Sequence, residues 1–250
     1  MEIFVTGGDA PMRTDIMGVP FDNVTMDEAL DRAEILIENP GCSLCVTPNA
    51  EIVYEAMDDP ELRAVLSSAD MVLPDGAGVV LAAKILRTPL KEKVAGIEFG
   101  THLMERLAGT DRTVFFLGGK PGVAETAAEK MQAQFPGLKV CGVRDGYFQE
   151  DGPVIEAVNN ASPDVLFVCL GAPKQELFMA RHRETLKASF AAGLGGSLDG
   201  FAGNVKRAPR WMIRSNLEWL YRLAREPWRL GRMMRLPKFM LRVLACRMKG

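Results

Sequence analysis

Asp75 stands in the stretch Ala69-Asp70-Met71-Val72-Leu73-Pro74-Asp75-Gly76-Ala77-Gly78-Val79-Val80, between a short apolar run and two glycines. A carboxylate at the end of a buried strand can take a proton from an attacking hydroxyl, as a general base must. The structural alternative is that Asp75 only caps the helix that follows, satisfying free N–H groups of its first turn. Two glycine turns, at 118–122 and 193–200, would bring backbone N–H groups against phosphate or sugar, although glycine after a strand is also common for packing alone. Neither turn is a P-loop or a G-x-G-x-x-G fingerprint, so kinase-type and nicotinamide chemistry lack their usual signatures. The chain has no Asp-x-Asp pair of the kind that holds Mg²⁺ or Mn²⁺ in a metal-dependent sugar transferase. If a diphosphate leaves here, arginines must neutralise it. Arg222, Arg225, Arg229 and Arg232 recur at i, i+3, i+7 and i+10, on one face of a helix.

The elements around these groups alternate. Apolar runs at 43–46, 71–73, 113–117, 138–142, 165–170 and 189–192 read as buried strands. Helical spacing follows each turn, and Thr25-Met26-Asp27-Glu28 forms a capping box for an earlier helix. Pro48 suits the first turn of the helix after 43–46, with Thr47 as its N-cap. This pattern predicts an α/β fold: a Rossmann-like, mostly parallel sheet flanked by helices, with a C-terminal basic helical appendage. In such a sheet the strand ends gather Thr47, Asn49, Asp75, Gly118, Gly119, Lys174, Gln175 and Asp199 along one edge, where these folds bind ligands. Asp199 reads equally as a ligand contact or as a partner of its own turn. The expected organisation is a leader at 1–14, a catalytic domain at 15–206 and the appendage at 207–250.

The net charge of −2 conceals an asymmetry: from residue 206 on, 13 Lys and Arg face only Glu218 and Glu226, while the rest carries 17 basic and 30 acidic residues. Tryptophans and leucines interleave with those arginines, a pattern suited to an anionic membrane surface or a phosphate-bearing ligand. No apolar run reaches the 18 residues of a membrane span, and the N-terminus has Glu2 and no basic segment, which argues against a signal peptide. Five cysteines, an odd number, point to reduced thiols; Cys42 and Cys45 form a lone C-x-x-C that reads as strand, not zinc or redox site. The two histidines, His102 and His182, fall on predicted helices and read as structural.

Taken in order, Thr47-Pro48-Asn49-Ala50-Glu51, Leu73-Pro74-Asp75-Gly76-Ala77-Gly78, Phe116-Leu117-Gly118-Gly119, Gly146-Tyr147-Phe148, Leu170-Gly171-Ala172-Pro173-Lys174-Gln175-Glu176, Gly195-Gly196-Ser197-Leu198-Asp199, Arg207-Ala208-Pro209, Leu217-Glu218-Trp219 and Arg222-Leu223-Ala224-Arg225-Glu226-Pro227 resemble the WecG/TagA/CpsF family of bacterial glycosyltransferases over residues 15–235. The resemblance implies an inverting transfer, with neither metal nor other cofactor, of a sugar from a UDP donor to a polyprenyl-diphosphate-linked sugar. It further implies a cytoplasmic enzyme peripheral to the membrane's inner face. Its best-known members move N-acetylmannosamine onto lipid-linked N-acetylglucosamine. By residue, it implies Asp75 as catalytic base, Thr47 and Asn49 in the acceptor pocket, Gln175 near the nucleotide, and Arg222, Arg229 and Arg232 over the donor diphosphate. Gly118 and Gly119 are further donor-binding candidates, with Lys174, Glu176 and Asp199 as possible members. Glu98, Leu177-Phe178 and Leu198 depart from the family's pattern and bear on which sugar is moved. Transfer of another UDP-sugar, an oxidoreductase in the same crevice and a nucleic-acid-binding tail are the competing readings; no nucleic acid is expected, and a homo-oligomer is compatible with the apolar tail.

Overall fold

The computed structural model describes residues 12–205, 209, 212, 220, 221, 231 and 234–249. A hairpin of β1 (Arg13–Ile16) and β2 (Val19–Asp22) precedes α1 (Met26–Glu38), β3 (Ser43–Val46), α2 (Ala50–Ala56), α3 (Pro60–Ser68) and β4 (Met71–Val72). Next come α4 (Ala77–Ile85), α5 (Gly96–Leu107), β5 (Thr113–Gly118), α6 (Val123–Gln134), β6 (Lys139–Arg144) and α7 (Gly152–Ala161). The chain continues through β7 (Val165–Cys169), α8 (Lys174–His182), β8 (Phe190–Gly193) and the short α9 (Ser197–Phe201), and α10 (Arg235–Lys249) ends the described part. The expected leader is shorter than its reading, because Arg13 and Thr14 already pair with Asp22 and Phe21.

The six strands β4-β3-β8-β7-β5-β6 form one sheet in which every pairing is parallel. Its inner strands are buried on both faces, which is why β7 reads Val-Leu-Phe-Val-Cys with no polar position, whereas the edge strand β6 is partly exposed. Alternation sorts the side chains into two cores. Phe115, Leu117, Leu166 and Val168 face the layer of α2, α3, α4, α7, α8 and α10, while Val114, Phe116, Val165 and Phe167 face α1, α5, α6 and α9. Thr25 and Glu28 close the expected capping box, with Thr25 Oγ1 accepting from Glu28 N and Glu28 accepting from Thr25 N.

Three buried or half-buried carboxylates tie the strands, Asp22 joining the hairpin to β4 and Asp70 and Asp164 holding the amino ends. Asp22, fully buried, accepts from Arg13 Nε at 2.9 Å and from Val72 N at 2.8 Å. Asp70 accepts from Leu44 N at 2.7 Å and pairs with Arg183, and Asp164 pairs with Arg112 while accepting from Thr113 N. The charged groups at this edge therefore hold the sheet together, and the opposite edge is left for ligands.

The C-terminal helix is anchored to the core. α10 packs on α2 and α4, and Phe239 and Val243 are fully buried in the first core. Arg235 pairs with Glu55 at 2.5 Å, and Arg242 pairs with Asp58 at 2.9 Å while lying over the Tyr54 ring. Among the described residues no helix is long and apolar enough to cross a membrane.

Candidate functional site

Sheet register lines up Val72, Val46, Gly193, Val168, Leu117 and Arg144 in one row, so the turns that follow these strands leave the same edge side by side. β5 leads to β6 on one side and β7 leads to β8 on the other, so the strand order reverses between them and a crevice opens there. The expected gathering of Thr47, Asn49, Asp75, Gly118, Gly119, Lys174, Gln175 and Asp199 along the carboxyl edge follows from this topology.

At the β3–β4 end, α2 begins at Ala50, and its N-cap is Asn49, whose side chain accepts from Glu51 N at 2.9 Å and Ile52 N at 3.1 Å. Thr47 is therefore not the cap, and Pro48 lies before the helix rather than in its first turn. Thr47 is instead buried, and its hydroxyl donates to Gly193 O at 2.8 Å, because a side chain facing the β3–β8 seam finds a strand carbonyl closer than a helix N–H. Asp75 is half-buried and precedes Gly76, which holds the cap position of α4 with φ +91° and, lacking a side chain, makes no cap bond. A Cβ on Gly76 would lie 3.7 Å from Asn49 Cβ, so Asp75 and Asn49 sit on neighbouring turns. Gly78 lets α4 close on this corner, since a Cβ there would meet Ala50 at 2.8 Å and Leu236 of α10 at 2.9 Å.

The β8–α9 turn is braced from both sides. Thr47 holds Gly193 O, Leu194 N donates to Val168 O at 3.0 Å, and Ser197 Oγ donates to Leu194 O at 2.6 Å. Gln175, only 2% exposed, accepts from Gly195 N at 2.9 Å through Oε1. Its Nε2 donates to Glu176 Oε1 at 2.9 Å, so the amide is committed to the protein and shapes the turn from beneath. Small residues on β8 make this possible: a Cβ on Gly193 would stand 3.0 Å from Gln175 Nε2.

Packing explains some glycines of this edge and not others. A Cβ on Gly118 would come within 2.3 Å of Cys169 O, and one on Gly119 within 2.9 Å of Val123 Cγ1. Gly196 differs: its φ is −82°, open to any residue, and a Cβ there would meet nothing within 4 Å. Among the described residues neither backbone conformation nor contact requires glycine at 196, so the turn there is open to an approaching group. The glycine-rich character of the 193–200 turn was legible in the sequence, but which of its glycines packing demands was not.

On the far side of the crevice Gly146 N donates to Gly119 O at 2.9 Å, and Lys174 Nζ donates to Gly146 O at 3.3 Å while lying 4.2 Å from the Phe148 ring centre. Asp199 sits in the first turn of α9, with Asn204 Nδ2 at 3.5 Å from its Oδ1, a contact within its own turn. Arg222, Arg229 and Arg232 lie outside the described residues.

The profile of the glycosyl transferase WecG/TagA/CpsF family matches residues 14–250. The chain belongs to this family. Proteins named N-acetylglucosaminyldiphosphoundecaprenol N-acetyl-beta-D-mannosaminyltransferase from Bacillus spizizenii and Bacillus subtilis are 43% identical over 209 residues and 38% identical over 235. These alignments cover 84% and 93% of this chain and 81% and 92% of the relatives. A Staphylococcus aureus protein of the same name is 32% identical over 95% of this chain and 94% of its own. This WecG/TagA/CpsF member is a glycosyltransferase.

Burial pushes the Cys42 thiol up to about 12 and the Cys45 thiol well above its usual range, so the C-x-x-C is structural. Burial also raises Cys169 to about 12. His182 lies 2.8 Å from Asp151 and His102 lies 3.2 Å from Glu105, away from the turns of the site.

Proposed function

We propose that the enzyme transfers N-acetylmannosamine from a UDP donor to a polyprenyl-diphosphate-linked N-acetylglucosamine, with inversion and without a metal. The observation that carries the donor half is the turn after β8 at the carboxyl edge, where Gly196 is exposed and a Cβ on it would meet nothing within 4 Å among the described residues. The acceptor half draws on the names of the relatives, which specify a lipid-diphosphate N-acetylglucosamine. The metal-independent part draws on the missing Asp-x-Asp pair.

In this reading the Asp75 carboxylate takes the proton of the acceptor hydroxyl as its oxygen forms a bond to the anomeric carbon. The bond from that carbon to the diphosphate oxygen breaks on the opposite face, and UDP leaves with the electron pair. Asp75 and the β8–α9 turn emerge two strand spacings apart, about 10 Å, which leaves room for one sugar ring between base and diphosphate. Thr47 and Asn49 border the acceptor, Gly119 and Lys174 lie further along the edge toward the nucleoside, and Arg222, Arg229 and Arg232 carry the leaving charge. The exposed Leu241, Leu244 and Met248 of α10, with Met234 just before it, dock the enzyme among basic residues on an anionic membrane at the cytoplasmic face.

The deciding experiment is UDP release from a panel of UDP-N-acetylhexosamines with a lipid-diphosphate N-acetylglucosamine acceptor, in EDTA. Acceptor-dependent turnover with the N-acetylmannosamine donor is expected, and turnover that needs added metal would overturn the arginine role. Gly196→Ala is expected to raise the donor KM at least about tenfold, the effect of one lost contact of about 1.4 kcal/mol, with stability within about 0.5 kcal/mol. An alanine variant with the wild-type donor KM would remove the turn from the donor site.

A further inference from the structure

We infer that Glu176 is a positioning residue for the donor: through Gln175 it fixes the direction of the Gly195 N–H, an inference that rests on the donor reading above. Gly195 N–H can only donate, so the Gln175 amide must offer it Oε1, at 2.9 Å. That choice turns Nε2 toward Glu176, whose Oε1 accepts at 2.9 Å. Without an acceptor at 176 the Gln175 Nε2 would be buried with no partner, and rotation of the amide would put two donors face to face at Gly195.

Glu176 is fully buried, and its second oxygen, Oε2, has no hydrogen-bond partner among the described residues. Burial raises its carboxyl above the usual carboxylate range, and Glu55, held by Arg235 at 2.5 Å, raises it further. A buried carboxyl with one filled and one unfilled oxygen is poor as a structural charge, yet it supplies the one acceptor that Gln175 lacks. The same α8 turn thus carries a pair with divided work: Gln175 touches the loop and Glu176 sets the amide's orientation. Because only an acceptor is needed, the neutral Glu176→Gln should do the same work, and Glu176→Leu should not.

The test uses the full chain, with UDP affinity by calorimetry, donor KM and kcat by UDP release, and hydrogen exchange at the Gly195 amide. Glu176→Leu is expected to weaken UDP binding and raise the donor KM about tenfold, the loss of about one buried hydrogen bond, with kcat and acceptor KM within about twofold. Gly195 exchange should quicken in parallel, and Glu176→Gln should restore every value to within about threefold of wild type. A folded Glu176→Leu with wild-type UDP affinity and Gly195 protection would overturn the inference. So would a Glu176→Gln as impaired as the leucine variant, and that arm decides alone if the leucine variant does not fold. If the wild type binds no UDP, the donor reading fails, while Gly195 exchange still tells whether Glu176 positions the turn.

Discussion

Asp75→Asn and Asp75→Ala are expected to lower kcat by about 10²–10⁴-fold, the usual contribution of a positioned general base. The asparagine variant is the sharper of the two. Asn caps a helix as well as Asp does but cannot take a proton, so it separates the two roles open to this residue. A base shows as lost turnover with retained stability; a cap shows as the reverse, with alanine costing about 0.5–2 kcal/mol and asparagine almost nothing. Gly76 occupies the cap position of α4 and Asp75 stands one residue before it, so both variants probe a residue beside the cap. Donor and acceptor KM should change little, since a base removes its proton only as the transition state forms. Kinetics with saturating UDP-sugar and a circular-dichroism melt of each variant check this. An asparagine variant within tenfold of wild-type turnover would assign Asp75 to the architecture of the turn.

The sheet and its functional edge were legible in the sequence because burial on both faces leaves runs such as Val165-Leu166-Phe167-Val168-Cys169 without polar interruption. Strand ends then mark themselves by glycine, proline and polar residues, which is why the candidate set falls on one edge. What the sequence left open was decided by distances shorter than a side chain. Thr47 and Asn49 are both good caps by type, and only the position of Gly193 O on the neighbouring strand takes Thr47 away from the helix. Gly118 and Gly196 are the same letter in similar turns; one is fixed by Cys169 O and the other faces open space. Gln175 reads as a polar residue at a nucleotide pocket, yet its amide serves Gly195 and Glu176. Glu176 reads as a possible member of the donor site at the start of a helix, and nothing in its spacing reveals that it is buried. The basic tail conceals the largest difference, because Arg235 and Arg242, read as part of a surface-directed charge face, spend their charge on Glu55 and Asp58.

That difference yields the second large effect, on α10. Phe239→Ala is expected to destabilise the protein by about 3–5 kcal/mol, since the ring is fully buried against the core that also holds α2 and α4. In a domain of this size the melting temperature should fall by roughly 6–20 °C. Leu241→Ser, two residues on but exposed by 67%, should leave the melt within about 0.5 kcal/mol of wild type. The two residues separate the inner and outer work of one helix. Leu241 and Met248, seven residues apart, share the outward face, flanked by Leu244. Under the proposed function this face docks on an anionic bilayer. Leu241→Ser should therefore weaken binding to phosphatidylglycerol vesicles, while Phe239→Ala reduces activity through lost fold. A truncation before residue 235 confounds the two, because it removes the buried ring together with the exposed stripe. If Leu241→Ser binds vesicles as tightly as wild type, membrane docking resides outside α10, and the helix is core structure whose placement of Leu236 against Gly78 supports the Asp75 corner.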